Sequence, residues 1–227
     1  MKPPPFAHAD PGTLAEALST LAEYGEDGKI LAGGQSLVPL LNLRLAQPQV
    51  LVDLNRVDEL NYIRSEKREG RDGIAIGAMT RQRCVEDSDA ITDVLPIVTE
   101  GIGWVGHGQI RNRGTVGGSI AHADPAAELP VLFRALDGFA TVRSQRGERH
   151  IPASDFFLYT FTPALEPDEI LTEIWLPARA PRTGQAFVEV ARRHGDFALV
   201  AVAATLTLDE HGHFAEAAIA VGGAAPV

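Results

Sequence analysis

The sequence predicts a mixed α and β protein in two unequal parts, and three observations carry that expectation. A strand-like segment at residues 29–32 runs through a Gly-Gly turn into an apolar helical segment and on to a second strand at 50–54, a β-turn-α-β order with glycine at its first junction. Residues 177–185, PARAPRTGQ, are rich in Pro, Gly and Arg and mark the best domain boundary. Three strand patterns then follow one another with no helix between them. At 227 residues the chain is long enough to bury a sizeable core.

The elements follow from local pattern. Residues 10–24 read as a helix, because Leu14, Leu18 and Leu21 recur at i, i+4 and i+7, with Asp10 or Thr13 as cap and Pro11 near the first turn. Residues 29–32 form a short buried strand. Residues 36–45 are apolar enough for a helix if Pro39 sits in its first turn. Residues 50–54 and 73–78 (GIAIGA) are strands, and 81–104 is helical in two pieces broken near Pro96. Residues 106–129 are the most glycine-rich stretch and are expected to be irregular. A helix resumes over 126–136 on the stripe Leu129, Leu132, Phe133 and Leu136, despite Pro130. Strands follow at 139–143 and 170–176. Beyond the boundary, 186–192, 199–208 and 214–221 read as strands, the last two joined by the polar turn DEHGH. No closing helix follows, so this last sheet is expected to keep one face uncovered.

Composition narrows the function. The hydrophobic fraction of 45% and charged fraction of 22% are those of an ordinary soluble protein. No run approaches the ~18 apolar residues of a membrane span. The N-terminus MKPPPFAHADP lacks the apolar core of a secretory signal, so a cytoplasmic location is expected. A net charge of −10 argues against a nucleic-acid or anionic-membrane partner. The single cysteine, Cys84, excludes an internal disulfide and an iron–sulfur cluster held by this chain alone, since such a cluster takes about four thiolates.

The segment 31-LAGGQSLVPLLNLRLA-46 interrupts an apolar pattern with two glycines and two small polar residues. One glycine suffices for a turn; two allow the main chain to approach a ligand closely. Thr115, Val116, Gly117, Gly118 and Ser119 repeat that logic, with adjacent glycines and hydroxyl neighbours. Two such turns fit a diphosphate held from two sides by backbone N–H groups. Neither matches a GxGxxG dinucleotide fingerprint or a GxxxxGK[ST] phosphate loop. After the second turn His122, Asp124 and Glu128 lie within seven residues. Metal ligation, acid–base work and acceptance of hydrogen bonds from sugar hydroxyls all use such groups. Asp124 before Pro125 also suits a helix cap.

Three motifs, AGGQSLVPLLNLRLAQP, RNRGTVGGSIAHADPAAELP and ARRHGDFALVAVAA, together resemble the flavin-binding medium subunit of molybdenum-containing hydroxylases, a family that includes carbon monoxide dehydrogenase medium chains and the middle domain of xanthine dehydrogenase. The resemblance runs in order along essentially the whole chain. It implies an α+β, two-subdomain FAD-binding fold of the vanillyl-alcohol oxidase and molybdopterin dehydrogenase type. An FAD-binding domain would cover 1–177, in subdomains of approximately 1–55 and 56–177, followed by a flavoprotein C-terminal domain at 178–227. The family continues for several dozen mostly helical residues past the GGAAP segment, so this last domain is expected to be truncated.

The resemblance also implies roles. Leu31, Ala32, Gly33, Gly34, Gln35, Ser36 and Leu37 would wrap the FAD diphosphate from one side, and Thr115 to Ser119 from the other. Asp124 and Glu128 would take ribose or ribityl hydroxyls, Leu171 would pack on the cofactor, and Phe197 would touch the flavin face. Trp104 matches an aromatic near the flavin and equally suits a core position. FAD would be non-covalent, since no histidine linkage site is recognisable. Molybdopterin and [2Fe–2S] clusters would belong to a large and a small partner subunit, in a dimer of heterotrimers, with NAD or a quinone as electron acceptor. A self-sufficient flavin oxidase or reductase is the alternative; Tyr24, Tyr62 and Tyr159 sit in unrelated segments and supply no substrate set.

Overall fold

The first helix begins with a capping box at Thr13, one of the two expected caps. The Thr13 hydroxyl accepts from the Glu16 N–H at 3.2 Å, and Glu16 Oε2 accepts from the Thr13 N–H at 3.3 Å. In the computed structural model, which describes residues 2–225, this helix packs on the first of three principal sheets. Strand β1 (Ala7–Ala9), helix α1 (Leu14–Tyr24), β2 (Gly28–Leu31), α2 (Leu37–Asn42) and β3 (Val50–Asp53) form a parallel sheet in the order β1-β3-β2. Leu14, Ala17 and Leu21 of α1 bury against Val50 and Val52 in a small core of their own.

The chain then builds a larger antiparallel sheet whose halves lie far apart in sequence. Strands β4 (Ile63–Arg68) and β5 (Arg71–Gly77) come first. Helices α3 (Gln82–Glu86), α4 (Asp89–Val94), α5 (Pro96–Ile102), α6 (Gly108–Arg113), α7 (Val116–His122) and α8 (Glu128–Ala135) follow. Next are β6 (Phe139–Ser144), β7 (Gly147–Pro152), α9 (Ala153–Phe156), the small hairpin β8 (Phe157–Tyr159) and β9 (Thr162–Pro163), and β10 (Ile170–Pro177). The strand order is β4-β5-β10-β6-β7, with the almost wholly buried β10 in the middle. Glu173 interrupts that run and is 3% exposed; it accepts from the Tyr62 hydroxyl at 2.6 Å and pairs with Arg64 at 3.2 Å and Arg68 at 2.6 Å. A carboxylate buried in a sheet is tolerated only with such partners.

Strands β11 (Thr183–Val190), β12 (Val200–Leu208) and β13 (Phe214–Gly222) form an antiparallel meander. Phe187, Ala201 and Ala203 on its inner face join the main core, together with α5 and α8 residues such as Val98, Ile102, Leu132 and Phe133. Its outer face keeps Val188, Val190, Ile219 and Val221 exposed.

The two-subdomain α+β architecture holds, and several local expectations are corrected. Strands β1, β4 and β7 and the β8–β9 hairpin were not foreseen. The 81–104 segment breaks twice, because Ser88 starts a new helix by accepting from the Ile91 N–H before Pro96 starts another. The 36–45 helix ends at Asn42, and Arg44 takes a positive φ of 60°. Residues 106–129 are largely helical: the Thr115 hydroxyl caps α7 by accepting from Gly118 N–H at 3.1 Å. The second Gly-Gly pair is therefore inside a helix and is not a turn.

Gly117 explains why that helix tolerates glycine. A Cβ there would come within 2.8 Å of Ala78 Cα, so α7 sits by close contact on the residue that follows β5. Gly117→Ala is expected to lower stability by about 1–3 kcal/mol through overpacking, read as an earlier urea midpoint. An unchanged midpoint would mean that α7 is not seated there.

Candidate functional site

The first glycine motif presents donors that the protein itself does not use. Val38 N–H donates to Gly34 O at 3.1 Å and Leu40 N–H to Ser36 O at 3.2 Å. Among the described residues, no protein acceptor faces the N–H groups of Gly33, Gly34, Gln35, Ser36 or Leu37. Gly34 takes φ +75°, the left-handed region that favours glycine. The loop borders a cleft of about 350 Å³ lined by Leu31–Gln35, Val38, Pro39, Asp53, Asn55 and Arg113. Five successive N–H groups without a protein acceptor, three of them from cleft-lining residues, suit an anionic, phosphate-bearing group, so the residues present fit FAD at its diphosphate.

The two glycine motifs meet directly. A Cβ on Gly33 would collide with Arg113 O and lie 2.8 Å from Gly114 Cα, and one on Gly118 would touch Ala32 Cβ at 3.4 Å. Arg81 braces this junction from below: its guanidinium donates to Asn55 Oδ1 and to Arg113 O. Asn55 Nδ2 in turn donates to Ala32 O at 2.9 Å.

The motifs are not equivalent, contrary to the expectation of twin cradles. Val116 N–H donates to Thr80 O and Gly117 N–H to Ala78 O, at 3.0 and 2.9 Å. Thr115, Val116 and Gly117 are buried and serve as anchors. Only Gly118 and Ser119 remain half-exposed on that side. Sequence reasoning missed Asp53, Asn55, Arg81 and Arg113. The NRG preceding Thr115 was the available signal, since it puts Arg113 next to the glycines.

The remaining expected residues scatter. Asp124 Oδ1 accepts from Ala126 N–H at 2.9 Å, which makes a local turn; α8 starts later, at Glu128, after Ala127. The N-cap role for Asp124 is thus corrected. His122 packs its ring on Phe161 with centroids 4.9 Å apart, and burial holds its pKa below the usual value. Among the described residues no three His, Cys, Asp or Glu side chains converge on a possible metal position. Leu171 lies in the main core at 5% exposure and does not line the cleft, whereas Phe197 is 75% exposed. Trp104 stacks on His194 at 5.1 Å, and the loop around positive-φ Gly195 presses on His107, so the C-terminal part touches the 104–107 segment. Cys84 is exposed. Tyr62 is bonded to Glu173 in the large sheet and Tyr159 is exposed on its hairpin; neither lines the cleft.

Glu128, which does not line the cleft, is a strongly perturbed acid. Burial, with lesser contributions from Glu189 and Asp124, pushes its carboxyl up to about 7, against a lowering by its own backbone N–H and Arg111.

The chain is similar to known proteins along its whole length. The family model described as the FAD binding domain in molybdopterin dehydrogenase matches residues 4–179, and that of the CO dehydrogenase flavoprotein C-terminal domain matches 185–227. The chain is 47% identical over 223 residues to the 6-hydroxypseudooxynicotine dehydrogenase complex subunit alpha of Paenarthrobacter nicotinovorans, covering 98% of this chain and 74% of that protein. It is 39% identical over 206 residues to the carbon monoxide dehydrogenase medium chain of Hydrogenophaga pseudoflava, covering 91% and 70%. A solved structure of carbon monoxide dehydrogenase from the same organism superposes with a TM-score of 0.95 at 38% identity, over 100% of this chain and 77% of that one. No helix of the described residues is long and apolar enough to cross a membrane.

The raised Glu128 carboxyl has a signed consequence. An acid that keeps its proton in the folded state and loses it near 4.5 when unfolded favours folding less as pH rises from about 4.5 to about 7. At about 1.4 kcal/mol per pH unit the loss is roughly 3 kcal/mol. Urea unfolding at pH 5 and pH 7.5 is expected to show this drop in the wild type and a much flatter profile in Glu128→Gln. Equal slopes would show that Glu128 ionises freely.

Proposed function

The chain belongs to the FAD-binding family of molybdopterin dehydrogenases, and on that premise we propose that it is the FAD-carrying medium subunit of a molybdenum hydroxylase. A large subunit with molybdopterin oxidises the substrate, and a small subunit with [2Fe–2S] clusters relays the electrons. This chain passes them to an acceptor such as NAD or a quinone, within a cytoplasmic dimer of heterotrimers.

Bound FAD supplies the redox chemistry, collecting electrons singly and delivering them in pairs. The protein's share is binding and orientation. The N–H groups of Gly33 to Leu37 donate to the diphosphate, and Ser119 with Gly118 closes on it from α7. Arg113 adds the local positive charge that a chain of net charge −10 does not supply in bulk. Asp124 and Glu128 accept from the cofactor's sugar hydroxyls, which suit an ionised acceptor. Loop 193–197, with Phe197 at its exposed end, shapes access for the acceptor. The observation that carries this reading is the row of unused N–H donors on the cleft.

Titration with FAD, followed by absorbance and by quenching of flavin fluorescence, tests it. The wild type is expected to bind FAD and release it intact on denaturation. Gly34→Val forces a β-branched residue to φ +75° and brings its Cβ to 3.2 Å from Val38 Cγ2. That variant is expected to lose at least about tenfold, or roughly 1.4 kcal/mol, in affinity while keeping its far-UV circular dichroism. Unaltered binding would remove the diphosphate from this loop.

A further inference from the structure

The cleft that suits an anion also contains an acid of its own. Asp53, the last residue of β3, lines it together with Asn55, Arg113 and the glycine loop. Parallel pairing sets Leu31, the last residue of β2, beside Asp53. The carboxylate therefore stands at the carboxyl ends of two adjacent parallel strands, next to the loop that leaves one of them. In open α/β sheets this is where ligands enter. Its side chain is 17% exposed, which makes it neither free surface nor core.

The two oxygens of Asp53 are used unequally. Oδ1 accepts from the Asn55 N–H at 2.9 Å and from Asn55 Nδ2. Asn55 is itself held, since Nδ2 also donates to Ala32 O at 2.9 Å and its Oδ1 accepts from Arg81. Oδ2 meets one partner among the described residues, the exposed His8 ring on β1, at 3.3 Å. That oxygen keeps acceptor capacity. A carboxylate repels a phosphate at close range, so the group it takes from a ligand in this cleft is a neutral donor. The same lining includes Leu31, Val38 and Pro39, an apolar surface on which Val38 is 43% exposed. A nucleoside diphosphate has all three matching parts: an anion for the N–H groups, hydroxyls for Asp53 and a flat base for the apolar side chains. At about 350 Å³ the cleft is near the lower end of the roughly 300–1,000 Å³ of small-molecule pockets, which suits one half of FAD and not the whole.

We infer that Asp53 is the specificity-determining residue for the adenosine end of FAD, its Oδ2 accepting hydrogen bonds from the ribose hydroxyls. The inference rests on the FAD reading above and leaves the ribityl chain to Asp124 and Glu128. Dinucleotide folds offer an analogy of position: their ribose-binding acid lies about twenty residues past the glycine turn. Asp53 stands in that relation to Gly34, at the end of the strand paired with β2, although the glycine fingerprint itself is absent. Asn55 and Arg81 are positioning residues here, because they hold Oδ1 and so fix the plane of the carboxylate.

The test is displacement of bound FAD from the chain, followed by recovery of flavin fluorescence, with ADP and with 2′,3′-dideoxy-ADP as competitors. ADP is expected to displace FAD, and the dideoxy compound to compete at least about tenfold less well, the loss of a hydrogen bond to a charged acceptor. In Asp53→Asn the amide oxygen can keep both bonds from Asn55, which leaves an N–H donor in place of Oδ2. The two competitors are then expected to act within about twofold of each other. Should that variant not fold, Asp53→Ser takes its place, since its hydroxyl can still accept from the Asn55 N–H. Equal competition in the wild type, or a tenfold preference that persists without Asp53, overturns the inference. FAD binding that ADP does not compete with also overturns it and leaves the FAD reading standing. Failure to bind either FAD or ADP overturns both.

Discussion

The contact on which the rest of the structure depends is between two stretches of main chain. Gly33, at the end of the small parallel sheet, lies against Arg113 and Gly114, at the end of α6 in the larger subdomain. Neither partner leaves room for a side-chain carbon. Because backbone meets backbone, the relative position of the two subdomains is fixed to the tolerance of covalent geometry and not to that of rotamers. The Gly117–Ala78 contact does the same for α7 and the large sheet. Arg81 then ties the arrangement with bonds to Asn55 and to the Arg113 carbonyl, so Arg113 is held against a cleft otherwise lined by residues 31–55.

This division of labour explains which parts were legible in the sequence. Gly33 and Gly34 stood out because glycine pairs beside hydroxyls are rare enough to need a reason, and α1 stood out through its leucine period and the cap candidates Asp10 and Thr13. The second glycine pair was read correctly as special and wrongly as a turn. Glycine weakens helices in isolation, so local pattern argues against α7; the close approach to Ala78 overrides it. Strand β4, IRSEKR, has no apolar face to announce it, and it forms because β5 offers it an edge. Glu189 was detectable in principle, since it shares the parity of Phe187, but nothing in one strand tells which face will be buried.

Electrostatics in this chain are local. A net charge of −10 coexists with an arginine at the cleft, and with Glu173 buried among Tyr62, Arg64 and Arg68 at the middle of the large sheet. Those pairs are set by tertiary neighbours from strands distant in sequence, which is why charge counting alone spoke to the exclusion of nucleic acid and not to the site. Glu189 on β11 is the contrasting case, a carboxyl group 6% exposed whose oxygens meet no hydrogen-bond partner among the described residues.

The strand order of the large sheet also sets a schedule. Strand β5 ends at Gly77, and its partner β10 begins only at Ile170, with seven helices and β6 to β9 between them. The entropy of closing so long a loop must be met before that pairing contributes anything. During synthesis, β4–β5 and the small parallel sheet are complete while the large sheet still lacks its central strand. The C-terminal meander, in contrast, joins only neighbours in sequence and can zip as soon as it emerges. Assembly of the cleft walls is therefore a late event on the ribosome, gated by the appearance of one strand, and the exposed edge of β5 is the surface a chaperone would meet in the interval.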